Sequence, residues 1–326
     1  MLLEVNNLNI FFKTNDKNKN VHAVRNLSFT LTEGEMLGVV GESGSGKSIT
    51  NLALLGILPD SAIVTADRLK FNGTNLLSLS EKNWVHVRGG EIAMIFQDPM
   101  SALNPFLTIE YQLIETILAH ENTSREKAYK RAIELLNKVG ITSPEERMKS
   151  FPFELSGGMA QRVMIAMAIS SNPKILIADE PTTALDVTIQ KQILNLLKDL
   201  QVQNKMAVIL VTHDLGIVAE YSDRIQVMYA GEVVESGTTH QLIHNPLHPY
   251  TRGLLNSRPN STKQKPKTLL PSISGIVPQF SERPSGCQFN PRCLHKTNEC
   301  VENEIHLYKS EDRYIRCNKT LSELNQ

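Results

Sequence analysis

The run Gly41-Glu42-Ser43-Gly44-Ser45-Gly46-Lys47-Ser48 constrains this chain more than any other stretch. It follows the short apolar segment Met36–Val40 and opens a helical pattern over 48–58, which the sequence closes at Pro59. Strand, glycine loop and helix in that order satisfy the phosphate-loop pattern G-x4-G-K-S/T in full. Each part has a physical reason. Glycines let backbone N–H groups turn inward toward phosphate oxygens, and the start of the helix adds a favourable dipole. Lys47 is expected to neutralise phosphate charge, and the Ser48 hydroxyl to help hold Mg²⁺. Gly41 to Ile49 is therefore the expected nucleotide-binding stretch. The dinucleotide fingerprint G-x-G-x-x-G is not met, because Gly44-x-Gly46 is followed by Lys47-Ser48-Ile49.

Elsewhere strand signals alternate with helical ones, which argues for an α/β core around a mainly parallel sheet. Arg68–Phe71 reads as a strand closed by an Asn72-Gly73 turn, and 92–96 as a second strand. Helical spacing then runs from 111 to 139, with Ile114, Ile117, Leu118, Ala132, Leu135 and Leu136 on apolar faces, and the block closes near Pro152. Strand signals return at 175–178 and 208–211. The segments 224–228 and 232–235, joined by Ala230-Gly231, read as a hairpin. From Ser257 to Lys267 the chain turns polar, with Pro259, Pro266 and lysines at 263, 265 and 267, the composition of an exposed linker. No internal repeat is visible.

Lys+Arg and Asp+Glu are equal at 34 each, so no global basic field gathers nucleic acid. The start, Met1-Leu2-Leu3-Glu4-Val5, lacks the basic and apolar regions of a signal peptide. The longest apolar run, 206–211, is far short of the ~20 residues a membrane span needs. Any membrane association is expected to come through a partner.

Lys174-Ile175-Leu176-Ile177-Ala178-Asp179-Glu180 delivers two carboxylates at the end of a strand, where open parallel sheets bind ligands. Asp179 is expected to orient Mg²⁺ and Glu180 to accept the proton of an attacking water. Gln97, after the strand at 92–96, is placed to reach Mg²⁺ or that water. His213, after the strand at 208–211, is placed to donate a hydrogen bond to a terminal phosphate. Leu155-Ser156-Gly157-Gly158-Met159 lies between the phosphate loop and the acidic strand, and Ser156 is expected to open a helix whose free N–H groups face a phosphate.

Taken together, these motifs resemble the ATP-binding subunits of ABC transporters over residues 1–255. The resemblance rests on the loop 41–48, Gln97, the signature 155–159, Asp179-Glu180, the Ala184-Leu185-Asp186 D-loop and the switch His213. It implies a P-loop NTPase fold: a RecA-like core, an antiparallel β subdomain, a helical subdomain at about 98–172 and, over 256–326, a linker with a small cysteine-containing C-terminal extension. It further implies a head-to-tail pair of such chains. Ser156, Gly157, Gly158 and Met159 of one chain would close over ATP held by the other, with Asp186 in the D-loop between them. Phe12 matches the position of the aromatic that stacks on adenine, beside Phe11.

The stretch 155–168 resembles the oligopeptide/dipeptide and nickel importer branch, with Ala160 where Arg is usual. So do 96–105, His248-Pro249-Tyr250-Thr251 and the run from Gly286 to Cys293. Within that branch the chain looks like the D-type ATPase of a peptide importer. The resemblance implies a second, distinct ATPase subunit, two transmembrane permeases, an extracellular peptide-binding protein and a place at the cytoplasmic face of the cell membrane. A nickel or metal-chelate importer is the alternative; a soluble ABC ATPase acting on DNA or ribosomes is a remote one, since the chain has one cassette and an importer-type tail.

All four cysteines fall near the C-terminus, as Cys287-x5-Cys293-x6-Cys300-x16-Cys317. Without a secretory signal, metal or redox chemistry leads disulfides. The spacing lacks the C-x2-C pairs of ordinary zinc ribbons and bacterial ferredoxins. The branch resemblance implies a 4Fe–4S cluster on these residues, with Zn²⁺, or reduced cysteines or disulfides, as alternatives.

Overall fold

The structure, a computed structural model, describes residues 1–14, 20–257 and 272–318. The linker expected at 257–267 lies outside the described residues apart from Ser257. The chain forms two compact units, one of residues 1–31, 37–77 and 212–326, the other of 32–36 and 78–211.

The first unit carries an antiparallel sheet in the order Asn20–Leu31, Leu3–Lys13, Arg68–Phe71, Thr74–Asn75, with Ala62–Thr65 paired to Leu3–Lys13. Leu3, Val5, Leu8 and Ile10 are buried, but the register shifts between Val5 and Leu8, Leu8 and Ile10, and Ile10 and Phe11. Those bulges break the period-2 pattern, so the two long strands do not announce themselves in sequence. The Asn72-Gly73 turn is present, with φ of 47° and 82°, the left-handed pair that a two-residue hairpin needs. The helix after the phosphate loop runs over Lys47–Leu54 and stops before Pro59 is reached. The expected end at 58 is corrected by Gly56 (φ 60°): its N–H donates to Ala53 O, and Ile57 N–H donates to Leu52 O, a Schellman stop.

In the same unit Arg224–Tyr229 runs parallel to Met36–Val40 and antiparallel to Glu232–Thr238. Arg313–Ile315 adds to Glu232–Thr238, and Tyr308–Ser310 adds to Arg313–Ile315, so the extension completes the sheet edge. Beneath it Tyr229 packs edge-on against Tyr250 (ring centres 4.8 Å apart) and Phe289 (5.2 Å). Each such ring buries ~150–250 Å². The extension thus shares one core with the strand that leads into the phosphate loop.

The second unit is built on parallel strands Ile92–Ile95, Ile175–Asp179 and Ala207–Thr212. Almost every residue of these strands is buried, as expected for a parallel sheet covered on both faces. The helical block resolves into Pro99–Ala102, Ile109–His120, Arg125–Lys138, Pro144–Arg147 and Gly157–Ala168. The spacing read as continuous over 111–139 is broken at 121–124, where Glu121 turns extended and Ser124 accepts the Lys127 N–H as an N-cap. No helix among the described residues is long and apolar enough to cross a membrane.

Candidate active site

The phosphate loop belongs wholly to the first unit. Gly44 (φ 78°) and Gly46 (φ 95°) supply backbone turns that other residues resist, and Gly46 leads into the helix Lys47–Leu54. A side chain at Gly41 would stand 2.2 Å from Met228 O, so the loop lies directly on the strand Arg224–Tyr229. Lys47 is buried, and its Nζ donates to Gly41 O (2.7 Å), Glu42 O (3.0 Å) and Ser45 Oγ (3.4 Å). Ser43, Gly44 and Ser48 are exposed, Ile49 is half-buried, and Ser45 is fully buried. The loop is therefore a closed ring of backbone around an ammonium, with hydroxyls on its open side. Such a cradle fits a phosphate chain, and the Ser48 hydroxyl fits Mg²⁺.

Two contacts to this loop come from residues to which the sequence assigned no role at the loop. Gly231 N–H donates to Ser45 O (2.9 Å), while Arg25 N–H donates to Gly231 O (2.8 Å), so the Ala230-Gly231 turn touches both the loop and the antiparallel sheet. Tyr250 Oη accepts the Glu42 N–H (3.0 Å). The motif His248-Pro249-Tyr250-Thr251 explains itself here. His248 Nδ1 accepts the Tyr250 N–H (3.1 Å), Pro249 takes the first turn of the helix Pro249–Asn256, and Tyr250 is left facing the loop. The His248 ring is wholly enclosed, and burial, aided by the nearby Arg316 charge, pushes its pKa down to about 3, so it stays neutral.

Phe11 and Phe12 lie on opposite faces of Leu3–Lys13. Phe11 stacks on His22, with centroids 4.0 Å apart. Phe12 shares its face with Ile10, which pairs with Val24, and the Val24 side chain comes within 3.4 Å of the Cβ position of Gly46.

In the second unit Asp179 is buried at the end of its strand, and Glu180 follows with a left-handed φ of 46°. A non-glycine residue held there stores backbone strain, a frequent mark of active sites. The Glu180 N–H donates to Val211 O (2.9 Å). Its Oε2 accepts from Thr183 Oγ1 (2.9 Å) and from the exposed Gln97 Nε2 (3.3 Å). Gln97 and Glu180, far apart in sequence, are thus brought together. Thr183 was not singled out in sequence, though a hydroxyl one turn beyond the carboxylate was its signal. His213 follows Ala207–Thr212 in an exposed bend at the start of the first unit's last segment.

Ser156 caps the helix Gly157–Ala168, its Oγ accepting the Met159 N–H (3.4 Å). A side chain on Gly158 would meet Ile189 Cγ2 at 2.9 Å, and one on Gly157 would meet Leu185 Cδ2 at 3.6 Å. Asp186 caps the helix Val187–Asn204 through Ile189 N–H (3.0 Å). The signature turn and the D-loop therefore form one packed piece.

None of the four cysteines is in a disulfide, and all of them line one cavity of about 20 Å³ with His248 and His295. Burial pushes the Cys287 thiol up to about 12. Four soft donors around one space suit a thiolate-bound metal. The spacing does not: among the described residues no three His, Cys, Asp or Glu stand where they could hold a metal ion. The space itself is about one water molecule's. As placed, the thiols do not by themselves support a 4Fe–4S cluster, and the cluster stays a proposal for these residues.

A cradling phosphate loop, an acidic strand end and a capped Ser-Gly-Gly turn define an ATPase of the ATP-binding-cassette class. The ABC transporter family profile matches residues 24–183, and that of the oligopeptide/dipeptide transporter C-terminal region matches 234–300. The chain belongs to the ATP-binding subunits of the oligopeptide/dipeptide ABC transporters. It is 47% identical over 323 residues to the dipeptide transport ATP-binding protein DppD of Escherichia coli, covering 99% of this chain and 98% of that one. It is 48% identical over 317 residues to the oligopeptide transport ATP-binding protein OppD of Bacillus subtilis, covering 97% and 88%. Among solved structures, the dimeric post-hydrolysis ATP-binding cassette MJ0796 bound to ADP and Pi is similar at 29% identity and a TM-score of 0.62, over 73% of this chain and 99% of that one.

Proposed function

We propose that this chain hydrolyses ATP to drive the import of di- or oligopeptides. The observation that carries the reading is a peptide-transporter C-terminal region joined to a cassette with its motifs complete. The cassette spans 1–255, with a helical subdomain at 98–172, and the extension spans 256–326. Gly41 to Ile49 hold the triphosphate and Phe12 stacks on adenine. Ser48, Asp179 and Gln97 are the residues that would hold Mg²⁺, which would supply charge neutralisation at the phosphates. Glu180 takes a proton from the attacking water as its oxygen bonds to the γ-phosphorus, and the bond to the ADP oxygen breaks. His213 donates a hydrogen bond to the γ-phosphoryl oxygens.

Ser156, Gly157, Gly158 and Met159 close over the nucleotide of a second ATPase chain, with Asp186 at the junction. Two permeases and an extracellular peptide-binding protein complete the machine, and the chain sits at the cytoplasmic face of the cell membrane. Reconstitution with the neighbouring permeases in liposomes tests this. Peptide with its binding protein should stimulate ATP hydrolysis and accumulate inside. Stimulation by a nickel chelate and not by peptide would move the chain to the metal branch.

A second reading concerns the cysteines. Convergence of four thiols on one cavity supports a bound metal at these residues. Anaerobic purification with iron, sulfide and zinc analysis tests it, and colourless, metal-free protein would overturn it.

A further inference from the structure

The residue that grips the phosphate loop hardest lies in the extension. Arg292 donates to the Glu42 carboxylate through both terminal nitrogens, Nη1 to Oε2 (2.7 Å) and Nη2 to Oε1 (3.1 Å). Its other N–H groups point to Ser274 O (2.9 Å), Ile273 O (3.2 Å) and Tyr229 Oη (3.4 Å). A guanidinium has five N–H donors in a fixed fork, and every one here has an acceptor. The Arg292 side chain is 6% exposed, and its centre lies 5.7 Å from the Tyr229 ring and 6.0 Å from Phe289.

We propose that Arg292 is a positioning residue of the nucleotide site: it neutralises and anchors Glu42, and so sets how tightly the loop takes a nucleoside triphosphate. The proposal rests on the reading of 41–48 as the phosphate-binding loop. A surface ion pair would carry little weight. This one is different, because the cation is enclosed by aromatic walls and held by backbone carbonyls, so it does not swing away. Glu42 is gripped at three points: its N–H by Tyr250, its carbonyl by Lys47 Nζ, its carboxylate by Arg292. Release of the carboxylate, whose side chain is 30% exposed, would leave an unpaired negative charge on the loop that must accept a polyanion. Arg292 also immediately precedes Cys293, which lines the cysteine cavity, so the cavity and the phosphate loop are linked through neighbouring residues of the chain.

The test is calorimetric titration of the full chain with Mg-ATP and Mg-ADP. Arg292→Gln should weaken ATP binding roughly 5–100-fold, the usual span of a coupling between sites, and ADP binding less. Arg292→Lys, which keeps the charge but not the fork, should fall between. Adding Glu42→Gln to Arg292→Gln should restore most of the ATP affinity, which a merely structural arginine would not allow. Unchanged ATP affinity in Arg292→Gln, or a loss equally large with and without Glu42, overturns the proposal. Should Arg292→Gln fail to fold, Glu42→Gln alone decides: ATP affinity held or raised supports it, and a fall of more than about fivefold overturns it. Lys47→Ala serves as the control on the loop. If that variant binds ATP like the wild type, the loop reading fails; if it loses binding while Arg292→Gln does not, only the present proposal fails.

Discussion

The phosphate loop and the turn at Glu180 both end a buried parallel strand, yet they are held in opposite ways. Four positions of the loop are tied down: Lys47 to three acceptors in its own ring, Gly41 against Met228, Ser45 by Gly231, Glu42 by Tyr250 and Arg292. The Glu180 turn is more open. Its carboxylate accepts from two neutral donors, the longer bond coming from an exposed Gln97, and left-handed residues stand at Glu180 (φ 46°) and Ala184 (φ 62°). On the proposed reading, binding is thus preformed whereas the chemistry is left adjustable, as catalytic hydrogen bonds often are before the reacting complex forms.

The contrast can be broken most forcefully at Glu180. Glu180→Gln keeps an oxygen for Thr183 and Gln97 and should fold and bind ATP, yet hydrolysis should fall roughly 10²–10⁴-fold. Steady-state turnover near wild type would remove Glu180 from the base role. Lys47→Ala deletes a charged donor from the preformed side and should weaken Mg-ATP binding roughly 10–100-fold in equilibrium titration. Next comes Gly158→Ala, which drives a methyl against Ile189 at 2.9 Å. Overpacking of this kind costs about 1–3 kcal/mol. Hydrolysis by the assembled pair should drop while this chain's own ATP affinity holds; equal losses in both would show that the two regions are not separable.

Acid should act on the preformed region. Unfolded His248 takes a proton near 6.5, whereas the folded ring resists until about 3. Stability is therefore full above the unfolded value and falls as the pH drops from 6.5 toward 3, by about 2 kcal/mol between pH 7 and pH 5. Thermal midpoints against pH should show this slope, and His248→Gln should flatten it. The smallest effect is expected from Tyr250→Phe, which removes the acceptor of the Glu42 N–H. At about 1 kcal/mol it should lower ATP affinity several-fold, with Tm little changed.

What the sequence could disclose follows the range of the interactions. Gly41 to Ser48 and the strand ending at Asp179-Glu180 are local patterns whose spacing alone carries their geometry. The cap at Ser156 is equally local. Leu3–Lys13 and Asn20–Leu31 stayed hidden because bulges near Asn7 and Asn26 (φ 53° and 44°) scramble the alternation. The helix after the loop was read too long because Gly56 stops it by turning left-handed, before Pro59 has any effect. Tyr250, Gly231 and Arg292 were illegible for another reason. Each acts through contacts made hundreds of residues away, and nothing in the Pro291-Arg292-Cys293 run says which carboxylate the arginine will meet. The cysteines are a case apart: their clustering near the C-terminus was legible, but the distances on which a metal depends were not.

The Glu42–Arg292 pair joins positions 250 residues apart, and the Tyr250 contact spans 208. At roughly 5–20 residues per second of synthesis, the loop emerges some 12–50 s before the arginine that secures it. Through that interval the nascent cassette carries its binding motif without the grip described above. Translation itself therefore sets the order of assembly, with a later-made segment turning an early loop into a finished one.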